Sequence, residues 1–127
     1  MILFLTNIFL HIVDDFYLQG IMANMKQRKW WAEQTQDPKH KYDYIIVLLL
    51  HGFSWAFITH IVYLMIFALN SNDTAVKWFI ICSILVNACI HAFIDNLKAN
   101  KFKINLIQDQ CLHIIQILIT QAIFNFI

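Results

Sequence analysis

The chain has 127 residues, 60% of them hydrophobic and 13% charged, with two glycines, one proline and a formal net charge of +1. A soluble domain carries about 25% charged residues, and a chain this short could not bury so much apolar surface in water. Its length fits one domain and its charge offers no field for nucleic acid. A soluble enzyme, a disordered chain and a secreted disulfide scaffold are therefore poor fits, and the expected solvent is a bilayer.

Four apolar runs follow in chain order, over about residues 2–25, 44–69, 76–97 and 104–127. Each holds roughly 20 residues or more, enough to cross about 30 Å of hydrocarbon at 1.5 Å per residue. Leu, Ile, Phe and Val dominate without a two-residue alternation, which predicts helices and not barrel strands. The first run lacks a basic flank and a small-residue cleavage site, so it is expected to be a retained span and not a signal peptide. The expected fold is an all-α polytopic membrane protein, an antiparallel bundle of four transmembrane helices in a single domain, 1–127.

The connections orient it. Loop 26–43 carries Lys26, Arg28, Lys29, Lys39 and Lys41, and loop 98–103 carries Lys98, Lys101 and Lys103. The turn Asn70–Thr74 holds one charge, Asp73, and is expected to cap the third helix. Eight of the nine basic residues thus lie on one side. The positive-inside bias places both basic loops in the cytoplasm of a bacterial inner membrane, with both termini outside. Trp30, Trp31, Tyr42 and Tyr44 suit an aromatic belt at that face. Cys82, Cys89 and Cys111 form no CxxC and are read as small buried hydrophobes.

Ionisable residues interrupt the apolar runs: His11 and Asp15 in the first, His51 and His60 in the second, His91 and Asp95 in the third, Asp109 and His113 in the fourth. Each such group near the bilayer centre costs about 2.5–3.5 kcal/mol on insertion scales, so each is a candidate functional group. His11–Asp15, His91–Asp95 and Asp109–His113 are spaced by four, one turn apart on one helical face. Six histidines and seven aspartates would give roughly 0.7 such pairs by chance. Counted inward from the basic loops, Asp15, His51, His91 and Asp109 fall roughly 9–15 Å below the cytoplasmic edge. His60 lies deeper and on the opposite face of its helix, a structural position, and His40 belongs to a loop.

The expected metal ligands are therefore His11, Asp15, His51, His91, Asp95, Asp109 and His113. Gln19 and Gln110 are placed to orient them by hydrogen bonds. Asn87, Gln116 and Thr120 read as ordinary interhelical hydrogen-bonding residues. Carboxylates gathered in low dielectric repel one another unless cations intervene. Imidazoles mixed with carboxylates suit zinc, manganese or iron better than magnesium or calcium. Seven ligands exceed one tetrahedral ion, so two divalent metals are expected. Asp14, off the ligand line, or Asp15 is a candidate general base, and Lys98 a candidate phosphate contact.

The stretch from His11 through Asp15, Phe16 and Leu18 to Gln19 resembles the H-x-x-x-D-F-x-L-Q opening of a family of small bacterial and phage membrane proteins of unknown function. His91–Asp95 and Asp109-Gln110-Cys111-Leu112-His113 resemble that family's H-x-x-x-D and D-Q-x-x-H elements, with His51 as its helix-two histidine. The chain is also distantly similar to YdjM-type membrane-bound proteins, a resemblance that implies metal-dependent hydrolysis. The Trp30–Trp31 loop has no counterpart in it.

The leading expectation is a membrane-embedded, metal-dependent hydrolase opening near the cytoplasmic headgroups, acting on a lipid-like substrate or phosphoester such as a prenyl phosphate. Its partners are membrane lipids and not nucleic acid, and its oligomeric state stays open. Three alternatives stand beside it. A metal-ion or proton transporter would usually show repeats or broken helices. A di-iron-type redox enzyme would usually use Glu, whereas every candidate carboxylate here is Asp. A non-enzymatic phage or host membrane protein predicts no metal.

Overall fold

The computed structural model describes residues 1–68 and 73–126. The far ends of the second and fourth expected spans (Leu69, Ile127) and residues 70–72 of the expected turn lie outside that description. Among the described residues the regular structure is entirely helical. Helix α1 (Ile2–Ile12) runs into a π-helical stretch, Val13–Leu18, followed by short α2 (Met22–Met25) and α3 (Arg28–Gln34). A 3₁₀ turn at Pro38–Tyr42 leads into α4 (Asp43–Tyr63), which continues as a π-helical stretch, Leu64–Ala68. Then follow α5 (Thr74–Ala99) and α6 (Leu106–Phe124).

The stretches Pro38–Phe67 (30 residues) and Thr74–Ala99 (26 residues) are long and apolar enough to cross a membrane, with 18-residue segments of mean hydropathy 2.0 and 1.8. The first expected span is not one helix. Its backbone widens at Val13–Leu18, where Gln19 N–H donates to Asp14 O five residues back at 3.0 Å, and it then turns at Gly20, whose φ of +50° favours a residue without a side chain. Helix α6 has 19 residues, about 28 Å. Its start is fixed by a capping box in which Asn105 Oδ1 accepts from Gln108 N–H and Gln108 Oε1 from Asn105 N–H. Asp73 caps α5 as expected, accepting from Ala75 N–H at 2.8 Å.

Helix α1 packs on α4 and α6, and α5 packs on both α4 and α6, closing a ring of four. The partition of side chains is inverted relative to a soluble bundle. Ile2, Leu5, Phe9, Ile12 and Phe16 of the first helical run face outward at three- and four-residue steps, as do Val86, Ile90 and Phe93 on α5 and Ile115, Leu118 and Ile119 on α6. Asn7, His11, Asp14, His51, His91, Asp95, Asp109 and His113 are buried inside. The three cysteines, expected to be buried, are exposed on the outer faces of α5 and α6. Cys89 stands midway between Asn87 and His91 and Cys111 midway between Asp109 and His113, about 200° round the helix from each, and a thiol is apolar enough to face lipid.

The tightest joint in the ring is α4 on α5. Gly52 lies so close to α5 that an added Cβ would sit 2.5 Å from Ala88 O and 3.2 Å from Ala92 Cβ. Since the obstruction is backbone, Gly52→Ala is expected to push the helices apart and lower stability by about 1–3 kcal/mol. Thermal unfolding in detergent, followed by circular dichroism, checks this; an unchanged melting curve would mean that the two helices are not held at this spacing.

The two basic loops meet on one side of the ring. Arg28 N–H donates to Asn100 Oδ1 at 2.7 Å, and Asn100 Nδ2 donates to Lys26 O at 3.0 Å. Trp31 turns inward to donate to Met25 O at 2.7 Å and stacks on His40.

Candidate metal centre

The π-helical turn shapes the first wall of the site. In a regular helix adjacent residues diverge by about 100°, whereas the widened turn carries both Asp14 and Asp15 inward. Helix α4 contributes His51 with Ser54 and Trp55 on the same face, α5 contributes His91 and Asp95, and α6 contributes Asp109 and His113.

The four helices bring seven residues together as four overlapping triads, each with ligand atoms within 4.8 Å of one another. These are Asp14–Asp15–His51, His51–His91–Asp95, Asp15–His91–His113 and Asp95–Asp109–His113. The separations are informative. His51 Nε2 lies 3.2 Å from His91 Nε2, 3.3 Å from Asp15 Oδ1 and 3.5 Å from Asp95 Oδ2. His91 Nε2 lies 3.6 Å from Asp15 Oδ1 and 3.8 Å from Asp95 Oδ2. His113 Nε2 lies 3.5 Å from Asp95 Oδ1 and 3.6 Å from Asp109 Oδ1. The nitrogen–oxygen distances exceed hydrogen-bond length. They match instead the edges of a coordination shell, since ligands about 2.0–2.1 Å from a tetrahedral ion stand about 3.3–3.4 Å apart.

Unpartnered atoms point the same way. Asp14 Oδ2, Asp15 Oδ1, His51 Nδ1, His91 Nδ1, Asp95 Oδ1, Asp109 Oδ1 and both nitrogens of His113 are buried without a hydrogen-bond partner. Buried polar atoms are nearly always paired, and those that meet across the cluster, Asp15 Oδ1, Asp95 Oδ1, Asp109 Oδ1 and His113 Nε2, fit a divalent cation. Two triads, Asp14–Asp15–His51 and Asp95–Asp109–His113, share no residue, and His91 stands between them. Asp95 directs Oδ2 toward His51 and His91 and Oδ1 toward His113.

His11, expected among the ligands, takes another position. Trp55 Nε1 donates to its Nδ1 at 2.7 Å, which puts the proton of the neutral ring on Nε2, and Nε2 donates to Gln110 Oε1 at 3.0 Å. Both nitrogens are engaged, and His11 belongs to none of the four triads. Gln110 passes the order on, donating from Nε2 to Asp109 Oδ2 at 3.1 Å and Asp15 Oδ2 at 3.3 Å. Gln19 donates to Asp15 O at 2.7 Å and reaches within 3.5 Å of His51 Nε2.

Asp14 sits among the triads and not apart from them. Its Oδ1 accepts from Ser54 Oγ at 2.8 Å, and its Oδ2 lies 3.5 Å from His51 Nδ1. Lys98 donates to Asp109 Oδ2. His60 stands apart: it is buried, with Nδ1 donating to Ala56 O at 2.7 Å and Nε2 accepting from Ser83 Oγ at 2.9 Å.

Two participants escape the sequence reading. Lys26 is only 6% exposed and donates to Asp95 Oδ2 at 2.6 Å. Its signal was present, because it stands seven residues beyond Gln19 on the polar line of Asn7, His11, Asp15 and Gln19. Trp55, 1% exposed, stacks on His91 at 4.4 Å while holding His11. Its position four residues after His51 places it on the same face, but a tryptophan in an apolar run carries no mark of its own. Comparison with protein-family models, curated proteins and solved structures finds no match.

Proposed function

We propose that the protein is a membrane-embedded metal-dependent hydrolase in which α4, α5, α6 and α1 with its π-helical continuation all span the bilayer. In this reading α1 and α6 complete the ring begun by the two longer spans. Their outward apolar stripes would face lipid, and the joined basic loops would lie at the cytoplasmic face. The observation that carries it is that the unpartnered atoms Asp15 Oδ1, Asp95 Oδ1, Asp109 Oδ1 and His113 Nε2 stand, with Nε2 of His51 and His91, at coordination-edge spacing. The chain's distant similarity to YdjM-type proteins favours the same chemistry.

A divalent cation held there, zinc, manganese or iron, would supply Lewis acidity to a phosphoryl or acyl oxygen and acidify a water. The chain's own groups do the remainder. Asp14 stands behind His51 Nδ1 and would fix the ring so that Nε2 points into the cluster. Gln110 would hold Asp15 and Asp109 by their outer oxygens, leaving Oδ1 of each inward. Asp15 borders both the cluster and a cleft on the loop side, the position for a base that takes a proton from the attacking water. Hydrolysis would add that water across an ester of a lipid-like substrate.

Access from one side favours hydrolysis over transport. Beyond Trp55 the interior closes into hydrogen-bonded pairs, Asn7 with Tyr63 and Gln116 with Asn87, around a cavity of about 10 Å³. That volume is about one water, not a hydrated ion.

Elemental analysis of the protein purified in detergent tests the reading. One or two equivalents of zinc, manganese or iron per chain are expected. Protein that stays metal-free after incubation with each ion would overturn it.

A further inference from the structure

On the loop side of the cluster lies a cleft of about 340 Å³ whose inner lining includes Asp15, Lys26 and Lys98. Each lysine ammonium has three donors and makes one hydrogen bond among the described residues, Lys26 to Asp95 and Lys98 to Asp109. Two further donors on each are therefore available to a ligand in the cleft. The outer lining is apolar: Phe16, Phe102 and Leu106 border it and are themselves exposed. Phe102 is notable because it is 82% exposed and has φ of +53°. A residue with a side chain enters that region only at an energetic cost, and such strain tends to persist where it serves a ligand.

Charge decides when the cleft can accept an anion. With the four carboxylates of Asp14, Asp15, Asp95 and Asp109 ionised, the imidazoles neutral and the two lysines protonated, the metal-free site sums to a net negative charge and repels anions. One divalent cation brings the sum to zero, and two bring it to +2. The oxygen of Asp95 that holds Lys26 is also the one facing His51 and His91. A cation bound there weakens the hold of Asp95 on the ammonium and frees it toward the cleft.

Building on the metal reading above, we propose that this cleft binds the phosphate headgroup of a single-chain or lipid amphiphile on Lys26 and Lys98. Its tail leaves past Phe16, Phe102 and Leu106, and it binds after the cation.

The test uses purified full-length protein in dodecyl maltoside, first assayed for metal content, then titrated calorimetrically with dodecyl phosphate or inorganic phosphate. Metal-loaded protein is expected to bind dodecyl phosphate at least tenfold more tightly than inorganic phosphate, and stripped protein at least tenfold more weakly than loaded. Lys26→Met and Lys98→Met are each expected to keep their metal while losing tenfold or more in dodecyl phosphate affinity. Phe102→Gly, which relieves the backbone, is expected to melt no lower than wild type and yet bind dodecyl phosphate several-fold more weakly. Absence of metal from wild type would overturn the metal reading and this one with it. Fully loaded protein that ignores dodecyl phosphate, or lysine variants that bind it normally, would overturn the cleft assignment alone. Equal affinity for the two probes would overturn the amphiphile.

Discussion

Replacing His91 by alanine is expected to strip the protein of divalent metal, with a loss of affinity greater than the roughly 10–100-fold that follows removal of an outer hydrogen-bonding partner. His91 belongs to two of the four triads and touches the groups of three helices. Its Nε2 faces His51 Nε2 at 3.2 Å and Asp15 Oδ1 at 3.6 Å, and its ring stacks on His113 at 4.1 Å. Removing it therefore opens the shell at its centre, where His51 and His113 cannot reach across. The same substitution leaves a cavity beside Trp55 and lowers stability by about 2–5 kcal/mol, so metal loss alone would be ambiguous. His91→Gln separates the effects, because it fills most of the volume without an imidazole. Both variants should lose metal by elemental analysis, while His91→Gln in chelator should melt within about 2 kcal/mol of stripped wild type. Asp109→Asn extends the test at a second helix, keeping the shape that meets Lys98 and Gln110 while removing the charge. Wild-type metal content in all three would mean that the cluster is a hydrogen-bonded core and not a metal centre.

What the sequence makes legible here is what regular helices transmit. Residues four apart share a face, and counting from a basic loop gives depth, so His51, His91, Asp95, Asp109 and His113 could be placed in one layer before any coordinates. Where the helix stops being regular the reading fails. The widened turn at Val13–Leu18 leaves no composition signal, and it is what brings Asp14 in beside Asp15. His11 shows a second limit: spacing assigned it correctly to the inner face, but the lone pair a metal would need is taken by an indole from α4. Such a partner is a tertiary fact. Lys26 shows a third, since a lysine next to a loop counts toward the positive side of a membrane whether its ammonium points to water or to Asp95. The far end of the first span is hidden for a related reason, because Gly20 in an apolar run does not reveal that the chain turns there.

Lys26→Met is expected to tighten metal binding, by about tenfold, while making the metal-free protein less stable, the reverse of any ligand deletion. In the metal-free state Lys26 neutralises Asp95 at 2.6 Å inside a group of four carboxylates. At an effective dielectric of about 20, two such charges about 5 Å apart repel by about 3 kcal/mol. Removing one partner of a buried pair costs about 3–5 kcal/mol, because the other charge stays behind. Methionine matches the lysine stem, so packing is largely conserved and the change is mostly electrostatic. A divalent cation then meets an Asp95 oxygen with no competing ammonium and a site that is more negative by one charge, and both effects strengthen its binding. Thermal melts in chelator and in excess zinc give the two halves of the argument. The variant should fall well below wild type in chelator and recover most of the difference in zinc, because a ligand that binds only the folded state adds stability as its concentration exceeds the dissociation constant. Lys26→Met with Asp95→Asn removes both charges and should melt close to wild type in chelator, yet lose the gain in zinc, since the oxygen that Asp95 directs at His51 and His91 has lost its charge. A single Lys26→Met variant that melts like wild type in chelator would show that this ammonium does not balance the cluster. Weaker metal binding by the same variant would show that it supports the cation and does not compete with it.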